Sequence, residues 1–171
     1  MRYSGVKMNE RTLCFLTRGN PSSEVLLGLK KTGFGAGKYA GFGGRVETGE
    51  TVETATVREL EEEAGIKVSI SDLCPIGHLT FLFPFKPNWS QVVYVFLAER
   101  WQGNPEESDE MKPAWCMINE IPFESMWDDA SYWLPHVLEG KRIRASFVYE
   151  DDNETVGEVK IEDWEDSGQS E

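Results

Sequence analysis

Glu59, Glu62 and Glu63 are spaced i, i+3 and i+4 in the run RELEEE that begins at Arg58. On an α-helix this spacing sets three carboxylates on one face, within about 100° of arc. Like charges stacked in this way cost a helix roughly 0.2–0.5 kcal/mol per pair. A hard divalent cation such as Mg²⁺ takes carboxylate oxygens and would offset that cost. Bound there, it would screen phosphate charge and acidify a coordinated water, which is the chemistry of metal-assisted polyphosphate hydrolysis. Glutamate-rich solvated helices are common, so RELEEE taken alone reads more readily as a solvated face. The longer pattern is more specific: it opens at Gly44, continues through Glu50 and Arg58-Glu59, and closes on Gly65-Ile66. Composition would assemble these spaced positions by chance in on the order of one chain in a million.

A helix over about residues 51–64 must present these acids. Thr51 is placed to cap its start, Glu53 sits in the first turn, and Gly65 is placed to end it. Val57, Leu60 and Ala64 cluster on the face away from the carboxylates, so one side is expected to pack while the other holds metal. Ahead of the helix, GFGAGKYAGFGG (33–44) has six glycines in twelve positions with aromatics embedded. This reads as a loop that lets the backbone approach a ligand closely. It lacks the Gly-Lys-Ser/Thr ending of a Walker A loop. Strand-like runs are expected at 12–17, 25–31, 76–85, 92–99, 114–118, 145–150 and 156–161, with a second helix at 131–139. Many strands with two helices imply an α+β fold.

With 171 residues, 40% hydrophobic and 12% aromatic, the chain is expected to be globular, with one domain over 12–161. Residues 1–11 are expected to be a loose lead-in and 162–171 a frayed acidic tail. No run of 18 apolar residues is present, and the N-terminus lacks a secretory apolar stretch. Cys14, Cys74 and Cys116 have no metal-like spacing and suit a reducing cytosol, so a cytoplasmic protein is expected. The only histidines are His78 and His136, and no Cys/His cluster suggests zinc. A net charge of −13 argues against a nucleic-acid polymer as partner. It does not exclude a small polyphosphate, because metal ions neutralise both parties locally.

The pattern from Gly44 to Ile66 matches the signature of the Nudix hydrolases at each fixed position, and the chain resembles that family. The resemblance implies an α/β/α sandwich with a mixed sheet. It implies attack by water on a phosphorus of a nucleoside diphosphate linked to another moiety, assisted by Mg²⁺ with Mn²⁺ as a substitute. By resemblance Glu59, Glu62 and Glu63 are the helix metal ligands, joined by the Gly43 carbonyl. Arg58 would orient the acids by ion pairing; read otherwise, it forms an ordinary surface salt bridge worth at most about 1 kcal/mol. Glu63 is the first choice for general base and Glu110 the second, a ranking that depends on which acid faces the attacking water.

Further segments extend the resemblance to the oxidised-purine triphosphatases of the family, over roughly residues 12–150. These are Lys30-Lys31, GFGAGKYAGFGG, NPEESDEMKP, IPFESMW and SYWLPHVL. They imply that Glu110 approaches the metal cluster and Lys30 the substrate phosphates, where the plainer readings are an acidic loop and a surface lysine. They imply that Trp127 stacks on the base, with Phe34, Phe81 and Phe83 as aromatic lining and Thr12 as a small polar contact. Each aromatic, taken alone, reads as core packing. The chain departs from the pattern at two places. Ala40 stands where an asparagine is expected, and Asp128-Asp129-Ala130 replaces a Pro-Asp-Asp triplet. Asp129 then keeps its place and its neighbour is lost, unless the loop slips by one and both Asp128 and Asp129 point inward. The implied activity is conversion of a nucleoside triphosphate to a monophosphate and pyrophosphate, on oxidised purines such as 8-oxo-dGTP, to sanitise the nucleotide pool. Rival readings are a hydrolase of nucleotide sugars, dinucleotide polyphosphates or capped RNA, and a catalytically silent nucleotide-binding module. The expected partner is a small-molecule nucleoside triphosphate, with no membrane, and a monomer is expected.

Overall fold

The computed structural model describes residues 2–3 and 6–165. Two short strands, β1 (Arg2–Tyr3) and β2 (Val6–Lys7), pair with each other. The main sheet contains β3 (Asn9–Arg18), β4 (Glu24–Lys30), β5 (Tyr39–Ala40), β6 (Cys74–Leu82), β7 (Gln91–Ala98), β8 (Met111–Met117), β9 (Ile143–Tyr149) and β10 (Val156–Asp163). Its order is β10-β9-β6-β7-β3-β4-β5, and β8 pairs with β4 off that path. The β3–β7 and β6–β9 pairs are parallel and the remaining pairs antiparallel. The helices are α1 (Val52–Ala64) and α2 (Ala130–Leu138).

Strand alternation separates two cores, one on each face of the sheet. Phe15, Val93, Val95, Phe81, Phe147 and Tyr149 pack with Trp133, Leu134 and Val137 of α2. Cys14, Leu16, Leu26 and Phe96 face the other way and pack with Leu60 and Ala64 of α1. The helix–sheet–helix layering expected above is therefore present. It buries the large aromatic side chains on the α2 side, where the cavity described below opens.

Helix α1 begins and ends as its residues dictate. The Thr51 hydroxyl accepts from the Thr54 amide at 3.1 Å, and the Thr54 hydroxyl accepts from the Thr51 amide at 3.0 Å. At the other end Gly65 adopts φ 68°, ψ 20°, and its N–H reaches the carbonyls of Leu60 and Glu61. A residue with a Cβ is strained in that left-handed conformation, and glycine is not.

Several expectations are corrected. The 1–11 segment is not loose throughout: β3 starts at Asn9, where its parallel pairing with Gln91 begins, and Met8 is buried. In α1, Ala55 and Thr56 are buried where Val57 was expected to pack; Val57 is only half-buried. Of the acidic tail, Glu162 and Asp163 belong to β10, and the Trp164 amide donates to the Arg142 carbonyl at 3.0 Å. Residues 166–171 of that tail lie outside the described residues. The glycine-rich loop contains the short strand β5, paired with β4 at Gly28↔Ala40. Among the described residues no helix is long and apolar enough to cross a membrane.

Candidate active site

A cavity of about 150 Å³ opens between the sheet, the glycine-rich loop and the start of α2. From β3 it takes Arg11, Thr12, Leu13 and Phe15, and from β4 Lys30. The loop adds Phe34, Lys38, Ala40 and Gly43. Phe81, Phe83, Gln91 and Val93 line it from the sheet side, and Trp127, Asp129 and Trp133 from the α2 side. One residue of α1 reaches it, Glu63.

Glu63 is the hinge between this cavity and the acid cluster. It is 2% exposed, which overturns the expectation that the carboxylate face of α1 lies wholly outside the packed interior. The Gly43 amide donates to its Oε1 at 3.0 Å. Burial pushes the Glu63 carboxyl up to about 8, reinforced by Glu59, while the Gly43 amide and the Lys30 ammonium act in the opposite direction. Glu59 is shifted upward as well, by burial first, with Arg58 opposing it and Glu62 and Glu110 adding to it. The Glu110 carboxylate, from the loop before β8, is thus close enough to raise both helix acids.

Arg58 holds the exposed end of this cluster. Its guanidinium grips Glu50 with two donors, at 2.7 and 2.9 Å, reaches Glu59 at 3.1 Å and Glu62 at 3.4 Å, and donates to the Arg45 carbonyl at 3.1 Å. The paired guanidinium holds the Glu50 carboxyl down at about 2. A planar guanidinium suits such a multi-carboxylate arrangement better than an ammonium would. Gly44 lies against the same cluster: a Cβ at that position would overlap the Glu59 carboxylate and turn it aside.

The donor set fits a hard divalent cation in type and charge. It consists of carboxylate oxygens, and burial first, then mutual repulsion, raises the proton affinity of Glu59 and Glu63. The side chains are not gathered on one ligating point, and no such group of three His, Cys, Asp or Glu residues stands among the described residues. Glu62 turns to Arg58, and Glu63 turns to the Gly43 amide, so the contact made at Gly43 is through its N–H.

The residues expected around a base separate into two groups. Thr12, Lys30, Phe34, Phe81, Phe83, Trp127 and Asp129 all line the cavity. The Thr12 hydroxyl is engaged by Thr56 of α1. Trp127 is stacked against Phe34, with centroids 5.0 Å apart and 18° between planes, and Phe83, Trp89 and Tyr149 meet it edge-on. Gly35 allows this close approach, because a Cβ there would stand 2.9 Å from the Trp127 Nε1. Asp129 is 6% exposed, and its two oxygens accept from the Trp133 indole at 2.7 Å and the Tyr149 hydroxyl at 2.5 Å. Burial raises the Asp129 pKa against the pull of those donors. Asp128 does not join it. Its carboxylate accepts from the Val156 amide at 2.9 Å and so caps the first residue of β10, which excludes the slipped loop with both aspartates inward.

Among the charged and amide side chains of the cavity, the sequence reading missed Arg11, Lys38 and Gln91, and it read Glu50 as a position of the pattern without its pairing to Arg58. Arg11 had a legible signal, since Arg11, Leu13 and Phe15 alternate along β3 and all line the cavity. Placing the strand start at residue 12, three residues after Asn9, hid it.

An aromatic cavity thus opens onto a buried helix glutamate, with further acids beyond it. A model of the NUDIX domain matches residues 8–137, and the chain belongs to the Nudix family. An oxidized purine nucleoside triphosphate hydrolase of Mus musculus is 45% identical over 127 residues, spanning 74% of this chain and 80% of that protein. An 8-oxo-dGTP diphosphatase of Escherichia coli (strain K12) is 32% identical over 114 residues, spanning 67% of this chain and 77% of its own length. The fold is that of a MutT protein from Bacillus halodurans, whose crystal structure aligns with TM-score 0.77 at 23% identity and covers 90% of this chain and 97% of that one.

Proposed function

We propose that the chain is a Mg²⁺-dependent nucleoside triphosphate pyrophosphohydrolase acting on oxidised purine nucleotides such as 8-oxo-dGTP, which it converts to the monophosphate and pyrophosphate. The observation that carries this reading is the position of Glu63, buried where the aromatic cavity meets the acid cluster. A base held in the cavity then directs its phosphates toward the acids. The names and coverage of the two relatives support the same substrate class.

In this reading Glu59, Glu62, Glu63 and Glu110, with the Gly43 backbone, would hold the cation. When bound, Mg²⁺ neutralises phosphate oxygens and lowers the pKa of a coordinated water. Glu63 in its ionised form takes the proton of the attacking water as the water oxygen bonds to a phosphorus of the chain and the bridging P–O bond breaks, giving the monophosphate and pyrophosphate; Glu110 is the second candidate for this base. Lys30, on the cavity wall and close to Glu63, offers positive charge to the phosphates. Trp127, Phe34, Phe81 and Phe83 supply stacking and apolar contact, and Asp129 supplies the polar edge. Arg58 positions the acids through its bonds to Glu50, Glu59 and Glu62.

The protein is read as a monomer of the cytoplasm. Its exposed large apolar side chains, Ile70, Phe85, Met117, Tyr132 and Val159, lie on different elements, and Cys74 is an exposed free thiol. The test is product analysis with Mg²⁺ over 8-oxo-dGTP, dGTP, a nucleotide sugar, a dinucleotide polyphosphate and capped RNA. Monophosphate and pyrophosphate from the oxidised triphosphate are expected. Turnover confined to one of the linked diphosphates would replace this substrate, and no turnover of any would leave a binding module.

A further inference from the structure

Among the described residues lining the cavity, Gln91 has a fully buried side-chain polar atom that no protein group satisfies. It opens β7, on the same face as Val93 and Val95, opposite Asn9 of β3 and Phe81 of β6. That register turns its carboxamide into the aromatic cavity, beside Phe81, Phe83 and Val93. It is 8% exposed, and its Oε1 is buried without a hydrogen-bond partner. A buried carbonyl oxygen left unpaired costs free energy, and such groups are rare in folded proteins. Apolar residues fill the neighbouring positions of the strand, so packing alone would favour another apolar side chain there.

The other polar reader of this cavity is already partly engaged. Both oxygens of Asp129 hold donors from the protein, Trp133 and Tyr149. Ala40 and Ala130, which also line the cavity, offer no side-chain hydrogen bond. We infer that Gln91 is a specificity-determining residue whose Oε1 accepts a hydrogen bond from a ring or exocyclic N–H of the bound purine. The inference rests on the nucleotide reading above. Its consequence is selective. Oxidation at C8 turns N7 of a purine from an acceptor into an N–H donor, so an oxidised purine carries one more donor than its parent. A purine without any N–H on its ring edges leaves the Gln91 oxygen unpaired in the complex, as it is in the free protein.

The test compares the full chain with Gln91→Met, which keeps the length of the side chain and removes its polar atoms. Calorimetric binding is measured for 8-oxo-dGMP and for deoxynebularine monophosphate, whose base has no N–H, and steady-state turnover is measured for the matching triphosphates. The substitution is expected to weaken 8-oxo-dGMP about 10-fold and to leave deoxynebularine monophosphate within about 2-fold. In turnover the 8-oxo-dGTP loss should fall on KM rather than kcat, because the bond is made before the chemical step. Thermal unfolding of ligand-free Gln91→Met should be no lower than wild type, since an unpaired buried oxygen has been removed. Equal losses for both bases, or no loss for either, would overturn the inference. So would a lowered Tm without dependence on the base, which would make Gln91 a structural residue. Because binding is read apart from turnover, a protein that binds with this Gln91 dependence yet hydrolyses neither triphosphate would refute the hydrolase reading and keep the inference.

Discussion

Glu63 unites two environments that pull against each other. As a buried carboxyl with a raised pKa it is held neutral, and in the role proposed for it as metal ligand and base it must be ionised. Replacing it with glutamine removes the ionisable group and keeps the shape, so Glu63→Gln is expected to lower kcat by at least about 10²-fold. Circular dichroism and Tm of the ligand-free variant should match wild type or exceed it. A variant with near wild-type kcat would remove Glu63 from the mechanism. Trp127 is the second residue with a sharp expectation. It is only half-buried and stacks on Phe34 in the ligand-free molecule, with Lys38 Nζ 5.0 Å from its ring centroid. Base stacking is worth about 1–3 kcal/mol and is largely made on binding. Trp127→Ala should therefore raise KM for purine triphosphates more than it lowers kcat. If it unfolds the protein and leaves KM of the folded fraction unchanged, Trp127 belongs to the core alone.

Among the elements, α1 is the one whose position controls the acids, and its ends show why it was legible. Caps and carboxylate spacing are local, so Thr51, Gly65 and the i, i+3, i+4 acids could be read from residues within one helix of each other. The Gly65 conformation gives a prediction of its own. At φ 68° an alanine is strained, so Gly65→Ala is expected to destabilise the fold by about 1 kcal/mol, measured by urea unfolding with an unchanged m-value. An unaltered midpoint would mean that the helix end relaxes freely. What was not legible depends on register between distant strands. Gln91 and Arg11 reach the cavity because β3 and β7 run in parallel from Asn9↔Gln91, a pairing between segments some eighty residues apart. Asp128 turned outward for a similar reason: the amide it satisfies belongs to β10, which no local pattern around Trp127 announces.

For the whole molecule, the two-sided layering places the aromatic cavity on the α2 face and reaches through to α1 by a single buried side chain. Charge then links stability to metal and pH. The folded-state pKa of Glu63 lies near 8 against an ordinary 4.5, so its proton is held more tightly in the folded chain. Its contribution is full below about pH 4.5 and is lost as pH rises through about 8. A cation that binds the ionised acids restores stability in that window. The rise in Tm on adding Mg²⁺ should therefore be larger at pH 8 than at pH 5, by differential scanning fluorimetry. An equal rise at both values, or none, would separate the metal from this cluster. The central claim is that the cavity selects an oxidised purine while the acids cleave its triphosphate, and one ratio tests it most directly. With Ala40 and Ala130 in place of side chains that could hydrogen-bond, discrimination rests on few polar contacts, so kcat/KM for 8-oxo-dGTP is expected to exceed that for dGTP by roughly 10-fold to 100-fold at equal Mg²⁺. A ratio near one, measured by pyrophosphate release, would contradict the account.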